Sequence, residues 1–322
     1  MIGGIRPKSQ TPPGERHAVE LHWESTKMSL TTFDPARPAA NKQASGSAAT
    51  AKVTVPLLQQ KKELRHPITA VTAYDYATAR LIDEAGLDVI LVGDSLAMVM
   101  QGQPDTLAIT VDEMLVYTRG VRRAVKRALV VADMPFGSYH TDEREGVANA
   151  IRFVKEAGAE AVKIEGGANR ASLVRRLSDA EIPVMGHIGL TPQSVHRMGG
   201  YKVQGKTLAA VDRLRADALA LQEAGCFSIV LEGMPRELGT ILTAELEIPT
   251  IGIGAGPDTD GQILVLHDML SLTFAPPAKF VRRYADIGAS IQAAIGEYKQ
   301  DVESRSFPSE AESYHLPTGV QL

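Results

Sequence analysis

Cysteine is almost absent from this chain, since its 322 residues include only Cys226. A single thiol excludes an intrachain disulfide and a cage of thiolates around a metal ion. Cys226 begins the apolar stretch 226–230, so we expect a buried thiol with a structural role. Long apolar runs are also absent, and no stretch approaches the ~20 residues that a membrane-spanning helix requires.

The chain has no large excess of charge of either sign. Its formal net charge is −4 at pH 7, and Lys and Arg form no long basic stripe. Because nucleic-acid binding needs clustered positive charge, that function is not expected. Residues 1–50 lack the apolar core of a secretory signal, and their acidic residues argue against a transit peptide. We therefore expect 1–50 to be a disordered extension or an over-long start, with Met28 as an alternative initiator, and we expect a cytoplasmic location.

From about residue 55, short apolar runs alternate with amphipathic segments. The runs are rich in Val, Ile and Leu without polar alternation, as in strands buried on both faces. They span 68–75, 88–95, 129–136, 161–167, 183–189, 227–234 and 249–256, and 263–270 can supply an eighth strand. The helix-like segments between them include 76–86, 111–125, 142–158, 208–225 and 235–246, and Gly86, Gly158 and Gly225 stand where helix C-termini favour glycine.

Two architectures fit this alternation, an open doubly wound sheet and a closed (β/α)8 TIM barrel. The number of strands favours the barrel. We therefore predict one barrel domain over 51–322, with a C-terminal helix near 279–304 and a tail. The longest connection, 191–206, follows strand five, and a loop of that length is more often functional than idle.

Acidic residues stand where four of the predicted strands end: Asp94, Asp133, Glu165 and Glu232. In a barrel these ends surround one mouth, where carboxylates repel each other unless a cation relieves the repulsion. Oxygen ligands without a His/Cys cluster indicate a hard ion such as Mg²⁺, shared by the acids of neighbouring strands two, three and four. Lys163 lies two residues before Glu165 and faces the same side. Glu232 lies across the mouth, where it can act as a base.

Other interpretations of these residues stay open. Any one acid could cap the following helix, as we predict for Asp75. The glycine-rich stretch 252–256 could bind phosphate or serve close packing, but its late position disfavours a dinucleotide fold. His187, near the end of strand five, is a possible pocket residue. No role is predicted for four further histidines, His66, His140, His196 and His267.

Several ordered motifs resemble those of the ketopantoate hydroxymethyltransferase family. The resemblance covers about 55–316. Its motifs are 69–76, 91–96, 132–136, 162–167, 186–194, 199–205, 251–256, 260–262 and 307–308. The extension 1–50 has no counterpart in a typical family member, and 274–280 replaces a more usual glycine-rich segment.

The resemblance implies a barrel of the phosphoenolpyruvate/pyruvate superfamily, assembled as a homodecamer of two pentameric rings. It implies Mg²⁺ held by Asp94, Asp133 and Glu165. A 2-oxo acid would be held by Asp94, Ser95, Asp133 and Lys163, and Glu232 would accept a proton. The co-substrate would be 5,10-methylenetetrahydrofolate, and the pathway would be pantothenate and coenzyme A biosynthesis.

Two rival functions differ from this expectation. The transferase reaction that the resemblance implies would proceed through a Mg²⁺-stabilised enolate. A lyase or mutase of the same superfamily would use the same enolate chemistry to cleave a C–C or C–P bond. It should carry a flexible active-site loop with a Cys or Asn-rich gate in place of 200–205, and the sequence shows none. A non-catalytic barrel, serving assembly or folate binding, should have lost at least one of the metal-binding or basic acids. The chain retains all of them.

Overall fold

The structure, a computed structural model, describes residues 51–320. Within this range eight parallel strands pair in chain order and close into a barrel, as the alternation of apolar runs predicts. The strands are β1 Ile68–Thr72, β2 Val89–Val92, β3 Leu129–Asp133, β4 Ala161–Glu165, β5 Val184–Gly189, β6 Cys226–Glu232, β7 Thr250–Ile253 and β8 Gly261–Leu264. The predicted disordered extension over 1–50 lies outside the described residues.

Helices alternate with these strands. They are α1 Val55–Glu63, α2 Tyr76–Glu84, α3 Leu96–Val99, α4 Val111–Ala124, α5 Glu143–Ala157, α6 Ala171–Asp179, α7 Val195–Met198, α8 Leu208–Ala224, α9 Arg236–Glu245, α10 Leu266–Met269 and α11 Ile287–Ser304. The predicted caps are confirmed: Asp75 accepts a hydrogen bond from the Thr78 amide, and Gly158 and Gly225 end α5 and α8 in the left-handed conformation. No helix among residues 51–320 is long and apolar enough to span a membrane.

The strands are apolar on both faces because each face packs against a different part of the core. Alternate residues such as Ile90, Val130 and Val162 join the layer between strands and helices. Their neighbours, such as Val89 and Val131, fill the inside of the barrel. Cys226 is buried in the outer layer, which confirms the structural role predicted for its thiol.

Two boundaries near the C-terminus differ from the prediction. β8 spans Gly261–Leu264, four residues paired with β1 and β7, and 266–269 of the predicted strand form α10. The apolar residues after β8 are therefore helical. The predicted helix 279–304 begins later, at α11, where Asp286 accepts a hydrogen bond from the Ala289 amide as its N-cap.

The N-terminal end of the barrel is held by buried ion pairs to α1. Asp88, just before β2, pairs with Lys61 at 2.6 Å and accepts hydrogen bonds from the amide and hydroxyl of Thr69. Asp260, just before β8, forms an ion pair with Lys62 and accepts hydrogen bonds from the amide and hydroxyl of Thr250. These contacts join α1 to the barrel floor, opposite the strand ends that carry the predicted site.

Candidate active site

The predicted site residues line one small cavity at the C-terminal mouth of the barrel. Its volume is about 100 Å³. The lining includes every residue that the sequence selects: Asp94, Ser95, Asp133, Lys163, Glu165, His187 and Glu232. Asp133, Glu165 and Glu232 are the last residues of β3, β4 and β6, whereas Asp94 lies two residues beyond β2.

Lys163 and Asp133 form a buried ion pair in this cavity. Lys163 precedes Glu165 by two positions on β4, so both side chains lie on the same face of the strand, as predicted. The other Asp133 oxygen accepts a hydrogen bond from the Asp94 amide at 3.1 Å. Asp133 therefore links the lysine to the turn after β2. Ser95, in the same turn, shares a hydrogen bond with the Tyr74 hydroxyl at 2.8 Å.

His187 lies between two of the carboxylates. Its Nδ1 is 3.3 Å from Glu165 and its Nε2 is 3.2 Å from Glu232. The alignment is too poor for hydrogen bonds, so neither nitrogen has a hydrogen-bond partner in the described range. Burial and Lys163 lower the pKa of His187, but Glu165 and Glu232 outweigh them and raise it to about 9. His187, predicted as a possible pocket residue, therefore lies in the pocket between the carboxylates of Glu165 and Glu232.

Gln193, which sequence reasoning did not select, is the most connected polar side chain of the site. Its side-chain amide donates to Asp94 at 2.8 Å and to the Met134 carbonyl, and its backbone amide donates to Glu165 at 2.9 Å. The Tyr139 hydroxyl donates to its side-chain oxygen and accepts from the Glu165 amide. Gln193 comes from the loop 191–206, and the length of that loop and the motif 186–194 were the signals in the sequence that pointed to this segment.

Burial sets the electrostatics of Asp94, Asp133 and Glu165, which are at most 4% exposed. It is the main cause of the strongly raised pKa of Asp94, to which the charges of Asp133 and Glu165 add. Burial would raise the pKa of Glu165, but His187 and Lys163 hold it below its ordinary value. For Lys163 burial lowers the pKa, and the three carboxylates more than reverse this.

These residues fit a divalent cation. Three buried carboxylates face one lysine, and one oxygen of Glu165 has no hydrogen-bond partner in the described chain. Across residues 51–320, no three His, Cys, Asp or Glu side chains are arranged to hold one ion directly. Mg²⁺ commonly keeps several waters and only one or two carboxylate ligands. The geometry therefore suits an ion bound by one or two acids directly and by the others through water.

A second, larger cavity adjoins the first, and Glu165 lines both. Its volume is about 840 Å³, and it extends along the loops after β3, β4 and β5 to α8. His140 and His196, for which the sequence predicted no role, both line it.

The glycine-rich stretch 252–256 serves close packing. A Cβ at Gly254 would lie 2.6 Å from the Phe280 ring, and one at Gly256 would lie 2.5 Å from Arg236. Both glycines also have positive φ angles. Of the two interpretations left open, the structure supports packing of the backbone against neighbouring side chains, and Phe280 belongs to the segment 274–280.

Comparison with solved structures shows which known barrels the fold resembles. The crystal structure of phosphonopyruvate hydrolase in complex with oxalate and Mg²⁺ matches with a TM-score of 0.55 and 13% identity, over 81% of this chain and 92% of that one. The crystal structure of 2,3-dimethylmalate lyase, a PEP mutase/isocitrate lyase superfamily member, gives a TM-score of 0.51 and 18% identity over 81% and 91%. The closed eight-stranded fold is therefore a TIM barrel, as predicted, and it resembles these solved structures.

Comparison of sequences identifies the family. A model of the ketopantoate hydroxymethyltransferase family matches residues 52–310. The 3-methyl-2-oxobutanoate hydroxymethyltransferase of Koribacter versatilis is 64% identical over 84% of this chain and 92% of its own. The enzyme of the same name from Pelobacter propionicus is 53% identical over 82% and 98%. The chain belongs to the ketopantoate hydroxymethyltransferase family of transferases.

Proposed function

We propose that this enzyme transfers a hydroxymethyl group from 5,10-methylenetetrahydrofolate to 3-methyl-2-oxobutanoate, giving 2-dehydropantoate and tetrahydrofolate. The overall reaction forms a C–C bond at C3 of the oxo acid, and water supplies the hydroxyl oxygen. The observation that carries the proposal is the small cavity, where three buried acids, one lysine and a separate fourth acid lie together.

The carboxylate and keto group of the substrate would lie against the acidic side of this cavity. Asp94, Asp133 and Glu165 would hold one Mg²⁺ per subunit, and Ser95 and Lys163 would contact the substrate oxygens. Mg²⁺ bound there would supply Lewis-acid stabilisation of negative charge on those oxygens. Lys163 would add positive charge beside it, because it remains charged among the three acids.

Glu232 would remove the proton from C3. Its side chain lies at the end of β6 with His187 as its charged neighbour, apart from the Asp133–Lys163 pair. A carboxylate so placed has a free oxygen for the C–H bond. Loss of this proton gives the enolate of the oxo acid, whose C3 electron pair attacks the methylene carbon of the folate co-substrate. Both bonds from that carbon to the folate nitrogens break, and water supplies the hydroxyl oxygen, so that tetrahydrofolate leaves.

The opposite wall of the small cavity matches the branched carbon chain of the proposed substrate. It is formed by aliphatic side chains, including Val230, Ile253 and Ile263. An isopropyl group would be removed from water there, which contributes about 0.8 kcal/mol per buried CH₂. The wall therefore favours a branched aliphatic 2-oxo acid over a charged or hydroxylated one.

The family resemblance also supports the wider context that we propose. The enzyme would act in pantothenate and coenzyme A biosynthesis, in the cytoplasm, as a homodecamer. An exposed apolar stripe on α11 is consistent with association of copies of the chain.

A turnover assay tests the function directly. The purified chain with the oxo acid, methylenetetrahydrofolate and Mg²⁺ should form 2-dehydropantoate, and EDTA should stop it until excess Mg²⁺ is restored. Asp133→Asn should abolish turnover and weaken Mg²⁺ binding measured by calorimetry. Normal turnover of Asp133→Asn at low Mg²⁺ would show that the metal assignment is wrong.

A further inference from the structure

The small cavity cannot hold both substrates of the proposed reaction. At about 100 Å³ it suits the oxo acid, whereas sites for drug-sized ligands usually measure about 300–1,000 Å³. The adjoining cavity of about 840 Å³ falls in that range, and Glu165 forms part of the wall of each. A ligand filling the larger cavity would therefore reach the edge of the metal-side cavity.

Three arginines line the larger cavity: Arg170, Arg197 and Arg213. None of them makes an ion pair with a carboxylate within the described residues. The Nε of Arg170 is buried and lacks a hydrogen-bond partner there, while its guanidinium lies 5.1 Å above the Tyr139 ring. Unpaired guanidinium groups around a cavity are suited to a ligand with carboxylates.

The rest of the wall mixes apolar and polar side chains, and it includes Asp217, which accepts a hydrogen bond from the Ala168 amide. Phe136, 45% exposed, and His140 both line the cavity, with ring centroids 4.8 Å apart and ring planes tilted by 54°. Ile188 continues the wall next to Glu165 and Gln193. An aromatic ring system can therefore lie beside Phe136, His140 and Arg170, on the side nearer Glu165, with an anionic tail toward Arg197 and Arg213.

We propose that this cavity binds the folate co-substrate, with its pterin end toward Glu165 and Arg170 and its glutamyl carboxylates toward Arg197 and Arg213. The inference rests on the proposed function for the identity of the ligand. In this orientation the methylene group approaches the small cavity from the side of Glu165.

The first test measures tetrahydrofolate binding by isothermal titration calorimetry with Mg²⁺ and the oxo acid present. Arg170→Gln should raise the Kd about 10-fold or more, because it removes a charged hydrogen bond at a partly buried position. Arg197→Gln and Arg213→Gln, at exposed positions, should each raise it about 2- to 5-fold. Arg119→Gln, an exposed arginine of α4 outside both cavities, is the matched control and should leave the Kd unchanged.

The second test asks whether Arg197 and Arg213 bind the tail. Tetrahydropteroate, which lacks the glutamyl group, should bind the unaltered enzyme more weakly than tetrahydrofolate does. The ratio of the two Kd values should fall toward one in Arg197→Gln and Arg213→Gln, whereas Arg170→Gln should weaken the binding of both ligands. A ratio that stays at its original value in both Arg197→Gln and Arg213→Gln, with folding verified by circular dichroism, overturns the proposal.

Exchange of the C3 hydrogen with deuterium, measured without folate, separates this inference from the proposed function. The arginine variants should exchange at the original rate, which also shows that loss of Arg170 has not disturbed Tyr139 and the metal side. Absence of exchange in the unaltered enzyme contradicts the proposed enolate step. It does not affect the folate assignment, which depends on the calorimetric Kd values of the arginine variants. Tetrahydrofolate binding that ignores all three substitutions contradicts the cavity assignment even if exchange and turnover are normal.

Discussion

Glu232 differs from the other acids of the mouth in its surroundings. Asp94 and Asp133 interact with each other, with Lys163 and with Gln193, whereas the contact recorded for the Glu232 carboxylate is with His187. Its side chain is 15% exposed, compared with 3% for Asp133 and Glu165. A partly exposed carboxylate has room to approach a substrate carbon, whereas Asp94 and Asp133 are already hydrogen-bonded to neighbouring protein groups.

Glu232→Gln therefore should separate proton removal from binding. The amide retains the shape of the side chain, so Mg²⁺ and oxo-acid affinity should persist, but it cannot accept the C3 proton. We expect C3 exchange with solvent deuterium, followed by NMR without folate, to fall about 10²- to 10⁴-fold.

Asp94→Asn is the comparison for this experiment. It should lose substrate affinity together with exchange, because Asp94 is proposed to hold the ion that binds the substrate. Exchange that is undiminished in Glu232→Gln assigns the base to another residue, with His187 the next candidate at the mouth.

At the scale of elements, the loop 191–206 does more than connect β5 to α8. Its first turn, Pro192–Ser194, inserts Gln193 between the β2 and β4 acids, with 99 residues separating Gln193 from Asp94. Gln193 is thus a positioning residue for two proposed metal ligands.

Gln193→Leu should weaken the site without removing a ligand. The substitution deletes the hydrogen bonds to Asp94 and to Tyr139, and loss of such outer-shell partners typically costs about 10–100-fold in metal affinity or activity. The Mg²⁺ concentration for half-maximal turnover should rise accordingly. Gln59→Leu, which removes an exposed hydrogen bond of α1 to Glu247, should behave like the unaltered chain. An unchanged Mg²⁺ requirement in Gln193→Leu would remove the positioning role.

The sequence predicted best those features that repeat with a short period. Buried parallel strands produce apolar runs that end in a defined place, so the barrel and the acids at its mouth could both be predicted. Gln193, Tyr139 and Arg170 come from loops, where the partner of a polar side chain depends on tertiary packing. The limits of β8 and α11 were predicted poorly because apolar residues beyond a four-residue strand fit a strand or a helix equally well.

At the scale of the whole molecule, the two ends of the barrel carry different buried charges. The C-terminal end holds acids in excess, and the N-terminal end holds acids paired with cations, such as Asp88 with Lys61 and Arg127. In TIM barrels the C-terminal face is the catalytic one, while the opposite face contributes stability.

Asp88→Asn should therefore lower stability and spare the chemistry. It leaves Lys61 without its counter-charge and weakens the bonds from Thr69, so the free energy of unfolding should fall by about 2–4 kcal/mol. Urea denaturation measures this, and kcat should be unchanged at low urea. Asp112→Asn, which breaks an exposed pair with Arg152, should change stability little. Equal effects of the two variants would contradict the importance of the floor contacts.

Helix α11 carries the feature that bears most directly on the proposed association of subunits. Helix α11 has no buried residue, yet Ile287, Ile291, Ile295, Tyr298 and Val302 recur at spacings of three and four along one face. Such a stripe is typical of a helix that packs against another surface, and we propose a second copy of the chain as its partner. The unaltered chain should then sediment as a large closed oligomer.

Ile295→Lys tests this stripe directly, because it places a charge where an apolar side chain would be buried. Losing the burial of one Ile costs about 1.5–3 kcal/mol per contact, so the dissociation constant between subunits should rise at least ~10-fold. Sedimentation velocity over a range of concentrations should show smaller species. Gln300→Lys introduces the same charge on the opposite face of α11 and should preserve the oligomer. A concentration-independent monomer in the unaltered chain, or an Ile295→Lys variant that assembles normally, would show that α11 is not the contact.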